Sequence, residues 1–152
     1  MKKGLNVKRR GQMQLSFGMI FSIILIIVFI AFAFYAIKKF LDFQEYSQII
    51  SFKEDLQNDI DSMWQSTQGS RPASYTLPRA IEQVCFKADS RIFFEPLGSG
   101  QGIDPFSVEH IDIDKVILRA GGRSYCIENK KGKIKMTIKK DFGDSLVDIE
   151  GG

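Results

Sequence analysis

The chain has 152 residues, 44% hydrophobic and 26% charged, with a net charge of +3, one His and two Cys. One His and no Gly-x-Ser-x-Gly elbow leave nucleophilic catalysis without the nucleophile, base and orienting group that it needs. The mean hydropathy of −0.08 averages one very apolar segment with a polar remainder, so neither a plainly soluble nor a multi-span class describes the whole chain.

The first eleven residues carry Lys2, Lys3, Lys8, Arg9 and Arg10. Leu15 to Ile37 then run LSFGMIFSIILIIVFIAFAFYAI, uncharged and without Pro. About 20 apolar residues suffice for a helix to cross the ~30 Å hydrocarbon core of a bilayer. Two basic residues, Lys38 and Lys39, follow, and five against two predict a cytoplasmic N-terminus. All 18 acidic residues lie beyond the span, so the +3 is a topogenic tail and no nucleic-acid partner is expected. The apolar run exceeds a ~7–15-residue signal-peptide core and no A-x-A-like site follows it, so it is expected to stay in the mature chain.

No Pro or Gly occurs between Met19 and Gln68. Beyond Ile37 the apolar residues Phe43, Tyr46, Ile49, Phe52, Leu56, Ile60 and Met63 recur at spacings of three and four, a helical stripe broadened by Ile50 and Trp64. Gly69 is expected to cap the helix and Pro72 to forbid its continuation. The spacing predicts one helix from Leu15 to Thr67, roughly 80 Å long. Its amphipathic half is expected to lie on its own domain, a coiled coil with a neighbour being the other use of the stripe.

From Arg71 the helical period gives way to short runs with turn chemistry between them. Ser74–Leu77, Ile81–Lys87, Arg91–Glu95, Glu109–Arg119, Arg123–Glu128, Lys133–Lys140 and Ser145–Ile149 read as strands. Residues 120–122, 129–132 and 141–144 read as hairpin connections, the last three or four strands as an antiparallel meander. The fold class expected is α+β: one long N-terminal helix, half transmembrane and half amphipathic, packed on a small antiparallel β-sheet domain. Its parts are a leader over 1–11, a transmembrane half over 12–37, an amphipathic half over 38–68 and an extracytoplasmic β domain over 69–152.

Cys85 and Cys126 fall in predicted strands beyond the span and are expected to form a disulfide there, the alternative being two buried thiols. Neither belongs to a C-x-x-C pair, so no metal site is expected from them. His110-x-Asp112-x-Asp114 would share one face of a strand, opposite Ile111 and Ile113. That pattern reads as the solvent side of an amphipathic strand rather than a cation site. The loop 98–102, Gly-Ser-Gly-Gln-Gly, lacks the Lys and the strand–loop–helix context of a phosphate loop. Catalytic, cofactor and metal residues are therefore expected to be absent.

Lys8-Arg9-Arg10-Gly11-Gln12 directly before an apolar helix resembles the class III signal peptides of type IV pilins and of archaeal pilins. The resemblance implies recognition of Arg9 and Arg10 by a prepilin-type peptidase and a cut between Gly11 and Gln12. Gln14 and Ser16 match the start of the archaeal Gln-x-Ser-x-Glu pattern, and Gly18 stands where its Glu would be. The two-part rod followed by a small β domain is also similar to pilin architecture. It implies a non-enzymatic, cell-surface filament subunit that associates with itself through the apolar helix and, before assembly, with the lipid bilayer. The alternative is a permanently signal-anchored envelope binding protein, its N-terminus cytoplasmic and its β domain contacting other envelope proteins.

Overall fold

The structure, a computed structural model, describes residues 17–99 and 102–152. It begins with helix α1, Phe17–Trp64, 48 residues long. The chain separates into two units, residues 1–39 and 40–152. In the first, the described residues are all α1 helix.

The second unit begins with the rest of α1 and continues as β1 (Gly69–Thr76), β2 (Gln83–Lys87), β3 (Arg91–Glu95), β4 (Phe106–Ser107), α2 (Ile113–Leu118), β5 (Ser124–Lys130), β6 (Lys133–Lys140) and β7 (Asp148–Gly151). The strands form one antiparallel sheet in the order β1-β6-β5-β2-β3-β4, with β7 also on β6. The fold is α+β, as the sequence predicts. Strands β3 and β6 match their expected bounds, because each is a short run between strong turn residues.

Strand β1 pairs with β6 along its whole length, from Gly69↔Lys140 to Thr76↔Lys133. The other edge of β6 is shared. Strand β5 holds it at Asn129 and Lys130, then diverges to pair with β2, and β7 takes over at Met136–Lys139. The expected meander is therefore real for β5 and β6 but folds back at β7, since β1 already occupies the far edge. Gly151 donates its N–H to the Tyr125 hydroxyl at 2.6 Å, fastening β7 to the strand it displaces.

Three expectations need correction. Helix α1 stops at Trp64, and Gly69 is not a left-handed cap but the first residue of β1. Lys140 Nζ takes the capping role, donating to the carbonyls of Trp64 at 2.5 Å and Ser66 at 2.9 Å. Pro72 lies inside β1, which tolerates it as an edge strand. Second, residues 109–119 are not a strand. Asp112 caps α2 by accepting from the Lys115 N–H at 3.0 Å, and Ile113, Val116 and Ile117 turn inward at helical spacing. Residues 120–122 then close that helix rather than a hairpin, with Gly121 and Gly122 at φ +79° and +84°.

Third, the stripe enters the core later than its periodicity suggests. Ile49, Phe52, Leu56 and Ile60 are buried, while Phe43 and Tyr46 are 68% and 46% exposed. Phe52 is the hub: its ring meets those of Tyr75, Phe94 and Phe106 edge-on at centroid distances of 5.4, 6.1 and 6.4 Å. Tyr75 lies on β1 and Phe106 on β4, the two ends of the strand order, so the sheet curls until both ends reach one helix. With roughly 110 residues in this unit, the helix supplies core that a sheet of short strands cannot supply alone.

Candidate functional site

The most conspicuous chemical feature of the described chain is the apolar part of α1. Phe17, Phe21, Phe29, Phe32 and Phe34 are all more than half exposed, as are Ile23, Ile24, Ile26 and Ile27 or nearly so. It is the one helix among the described residues long and apolar enough to cross a membrane, and its most apolar window is wholly unburied. A surface of this size exceeds the few hundred Å² that a soluble monomer leaves open, so a bilayer or another apolar surface must cover it. Ser22, its one described hydroxyl before Tyr35, donates back to the Gly18 carbonyl at 2.8 Å and is satisfied within the helix. Gly18 and Ser22 thus form a low-profile site on the helix surface with no polar group left unpaired.

The processing residues expected from the sequence, Arg9, Arg10, Gly11 and Gln12, lie outside the described residues.

Cys85 and Cys126 are direct cross-strand partners on β2 and β5, and the structure joins them in a disulfide across a separation of 41 residues. The Glu95 carboxylate lies beside both sulfurs and accepts from the Gln83 side chain. This is the sole cluster of three or more His, Cys, Asp or Glu among the described residues close enough to share an ion. Sulfurs bonded to one another are not the thiolates that bind metals, so its role is to staple β2 to β5.

His110, Asp112 and Asp114 are not brought together. Asp112 is spent on the α2 cap and Asp114 lies in the first turn of that helix, where a carboxylate suits the dipole. His110 adopts φ +63° and turns to α1. Its ring stacks on Trp64 at 3.8 Å, and Nδ1 meets Asp61 Oδ1 at 3.0 Å. Gln57 donates to Asp61 at 2.7 Å and accepts the Glu109 N–H at 2.9 Å. The hydrogen bond from His110 holds the Asp61 carboxyl below its ordinary range. Gln57, Asp61 and Trp64, at i, i+4 and i+7 on one helical face, thus clamp the 109–110 segment. Sequence reading missed this clamp, although the helical spacing of the three residues was visible. None of these contacts offers a nucleophile to the imidazole, so the cluster is a fastening.

The loop around Gly98 and Gly102 borders a small groove with Phe93, Phe94, Leu97 and Asp104. Its described lining has one carboxylate and no cationic side chain, the wrong electrostatics for phosphate. A larger groove of about 440 Å³ runs between Phe40, Phe43, Ser47 and Asp55 of α1 and Tyr75 of β1. Asp59 beside it accepts from the Tyr75 hydroxyl at 2.7 Å and pairs with Arg71. Burial, then that hydrogen bond, push the Tyr75 phenol well above its usual range, so it stays a neutral donor. Compared with protein-family models, curated proteins and solved structures, the chain matches none.

Proposed function

We propose that this chain is a non-enzymatic, single-pass membrane protein of the archaeal type IV pilin-like kind, serving as a subunit of a cell-surface filament or related assembly. One observation carries the reading. A single 48-residue helix has an N-terminal part exposed and apolar all round, and a C-terminal part that forms the core of a disulfide-stapled antiparallel sheet. Such a helix can wait in the bilayer with its N-terminus cytoplasmic, then exchange lipid for identical helices when the subunit assembles. The exposed residues Phe40, Leu41, Phe43 and Tyr46 extend the apolar surface past Lys38 and Lys39, beyond what a bilayer alone requires. Filament neighbours would cover them. On this reading a prepilin-type peptidase recognises Arg9 and Arg10 and cuts between Gly11 and Gln12.

Gly18, at the position of the family's Glu, favours the second reading, a permanently signal-anchored envelope binding protein. Counted from Gln12, the fifth mature residue is Ser16, where bacterial pilins carry a Glu that pairs with a neighbour's N-terminal amine, and a Ser cannot. Shearing host cells and probing the released fraction separates the two. The filament reading expects the chain among sheared surface fibres, and Gly11→Leu, which blocks the cut, should keep it in the membrane pellet. Recovery of the unaltered chain in the pellet alone, with Gly11→Leu making no difference, would contradict it.

A further inference from the structure

A second surface stands out by charge. From Phe40 onward the chain carries eighteen acidic and fourteen basic residues, a net negative unit. Four lysines, Lys130, Lys131, Lys133 and Lys135, nevertheless crowd into six positions at the β5–β6 hairpin, and all four are exposed. The hairpin is tight: Lys131 and Gly132 adopt φ +58° and +84°, the two positive values of a two-residue connection. It is also held in place. Leu77 donates its N–H to the Gly132 carbonyl at 3.0 Å, and Asn129 Nδ2 donates to the carbonyls of Pro78 at 3.0 Å and Ile81 at 2.7 Å. That anchoring sets Arg79 against the turn, where a Cβ on Gly132 would lie 3.6 Å from Arg79 Cγ.

Two features mark this cluster as built for an anion. Lys130 and Lys133 are direct cross-strand partners, and like charges placed opposite one another destabilise a hairpin. The lysine and arginine ion pairs among the described residues lie elsewhere, on Arg71, Arg91, Lys115, Arg119 and Lys139, and engage none of these four lysines. Glu128 and Gly152 line the cluster, Glu82 lies beside it with its carbonyl accepting the Asn129 N–H at 2.7 Å, and Glu45 lines the neighbouring concavity, so three acidic side chains face four lysines and Arg79. Position in the chain names the occupant. Leu41, Gln44, Glu45 and Gln48 of α1 line one concavity with Arg79, Lys131 and Lys133, and Leu41 is four residues past Ile37, where the apolar stretch ends.

We propose that the β5–β6 hairpin and Arg79 form a cationic rim that docks on anionic headgroups of the bilayer holding α1. The inference rests on the membrane-spanning part of the function proposed above and not on filament formation. Docking would brace the second unit at the membrane before assembly. Each Lys or Arg near an anionic surface favours the docked state by about fivefold, so several acting together hold it even if some contacts are partial. The attraction falls off within a Debye length, ~8 Å at physiological ionic strength, so salt weakens it.

The test uses the full chain reconstituted in nanodiscs of phosphatidylcholine alone, or with one third phosphatidylglycerol. Lysine acetylation rates are read residue by residue by mass spectrometry. Lys87 is the internal control: it pairs with Ser124, six residues along β5 from Lys130, about 20 Å away in an extended strand. The expected result is at least threefold slower acetylation of Lys130, Lys131, Lys133 and Lys135 in the anionic discs, abolished by 0.5 M salt, with Lys87 unchanged. In the triple variant Lys130→Gln, Lys133→Gln, Lys135→Gln, protection of Lys131 should be lost. Equal rates in the two kinds of disc, with the chain inserted in both, would overturn the rim and leave the membrane reading intact. A chain that never inserts into either disc would overturn the membrane reading and the rim with it.

Discussion

Phe43→Ala and Phe52→Ala remove the same side chain from the same helix and the same predicted stripe, nine positions apart, yet should differ greatly in effect. Phe52 is 1% exposed and meets three aromatic rings edge-on, whereas Phe43 is 68% exposed. Truncating a buried Phe costs about 3–5 kcal/mol, the aromatic contacts placing this site toward the upper end. A unit of roughly 110 residues has a stability on the order of 5–15 kcal/mol, so the loss is a large share of the whole. At ~2.1 cal/mol/K per residue its unfolding entropy is about 0.23 kcal/mol/K, and Tm should fall by roughly 13–22 °C. Phe43→Ala should move stability by less than about 0.5 kcal/mol, or ~2 °C. Thermal unfolding of the full chain in detergent, followed by near-UV circular dichroism, reads both. Equal shifts from the two variants would refute the claim that the sheet first engages the helix at Ile49, as would a Phe52→Ala shift under about 4 °C.

Reduction of the Cys85–Cys126 bridge, whose ends are 41 residues apart, should cost roughly 3–4 kcal/mol, read as a lower urea midpoint with reductant present. Arg119 pairs with Asp148 at 2.7 Å, and the Asp148 side chain is only 4% exposed. Arg119→Met leaves that carboxylate buried and unpaired and should cost about 3–5 kcal/mol. The more exposed Lys115, paired with Asp144 at 3.0 Å, should cost no more than about 1 kcal/mol when changed to Met, and urea titrations compare the two. The lowered pKa of Asp61 contributes stability that is present above the unfolded carboxylate value, near 3.8, and lost as pH falls through its folded value. Asp61→Asn should therefore flatten the loss of stability below about pH 4, with Trp64 fluorescence reporting the fold. An unchanged acid limb in that variant would remove the Asp61–His110 pair from the account of acid sensitivity.

Much of this architecture is legible in the sequence because its signals are local. The apolar run announces itself by length, and Lys133–Lys140 alternates so cleanly that its buried and exposed faces follow. The disulfide was legible in part, since two cysteines admit one intramolecular pairing. Residues 109–119 carry two signals at once: Ile111 and Ile113 alternate as in a strand, while Ile113, Val116 and Ile117 keep a helical spacing. Asp112 as a cap and Gly121-Gly122 as a stop decide between them, and both were readable as helix signals. What no periodicity shows is where a sheet ends. Phe43 and Tyr46 keep the stripe's spacing yet stay exposed, because the curl of the sheet, set by long-range pairing, stops short of them. The His110 clamp and the insertion of β7 beside β5 are nonlocal in the same sense. The cationic rim is hidden in the sequence for another reason: its lysines read as the polar face of a strand until the turn, the cross-strand pair and Arg79 are seen together.

The most direct measurement is the mass of the intact chain and of its N-terminal peptide, taken from its own host's membranes and surface fraction. A mature chain beginning at Gln12 is the result expected of a processed pilin-like subunit. A chain that still carries Lys2 to Gly11 in every fraction would contradict processing and leave a permanently anchored envelope protein.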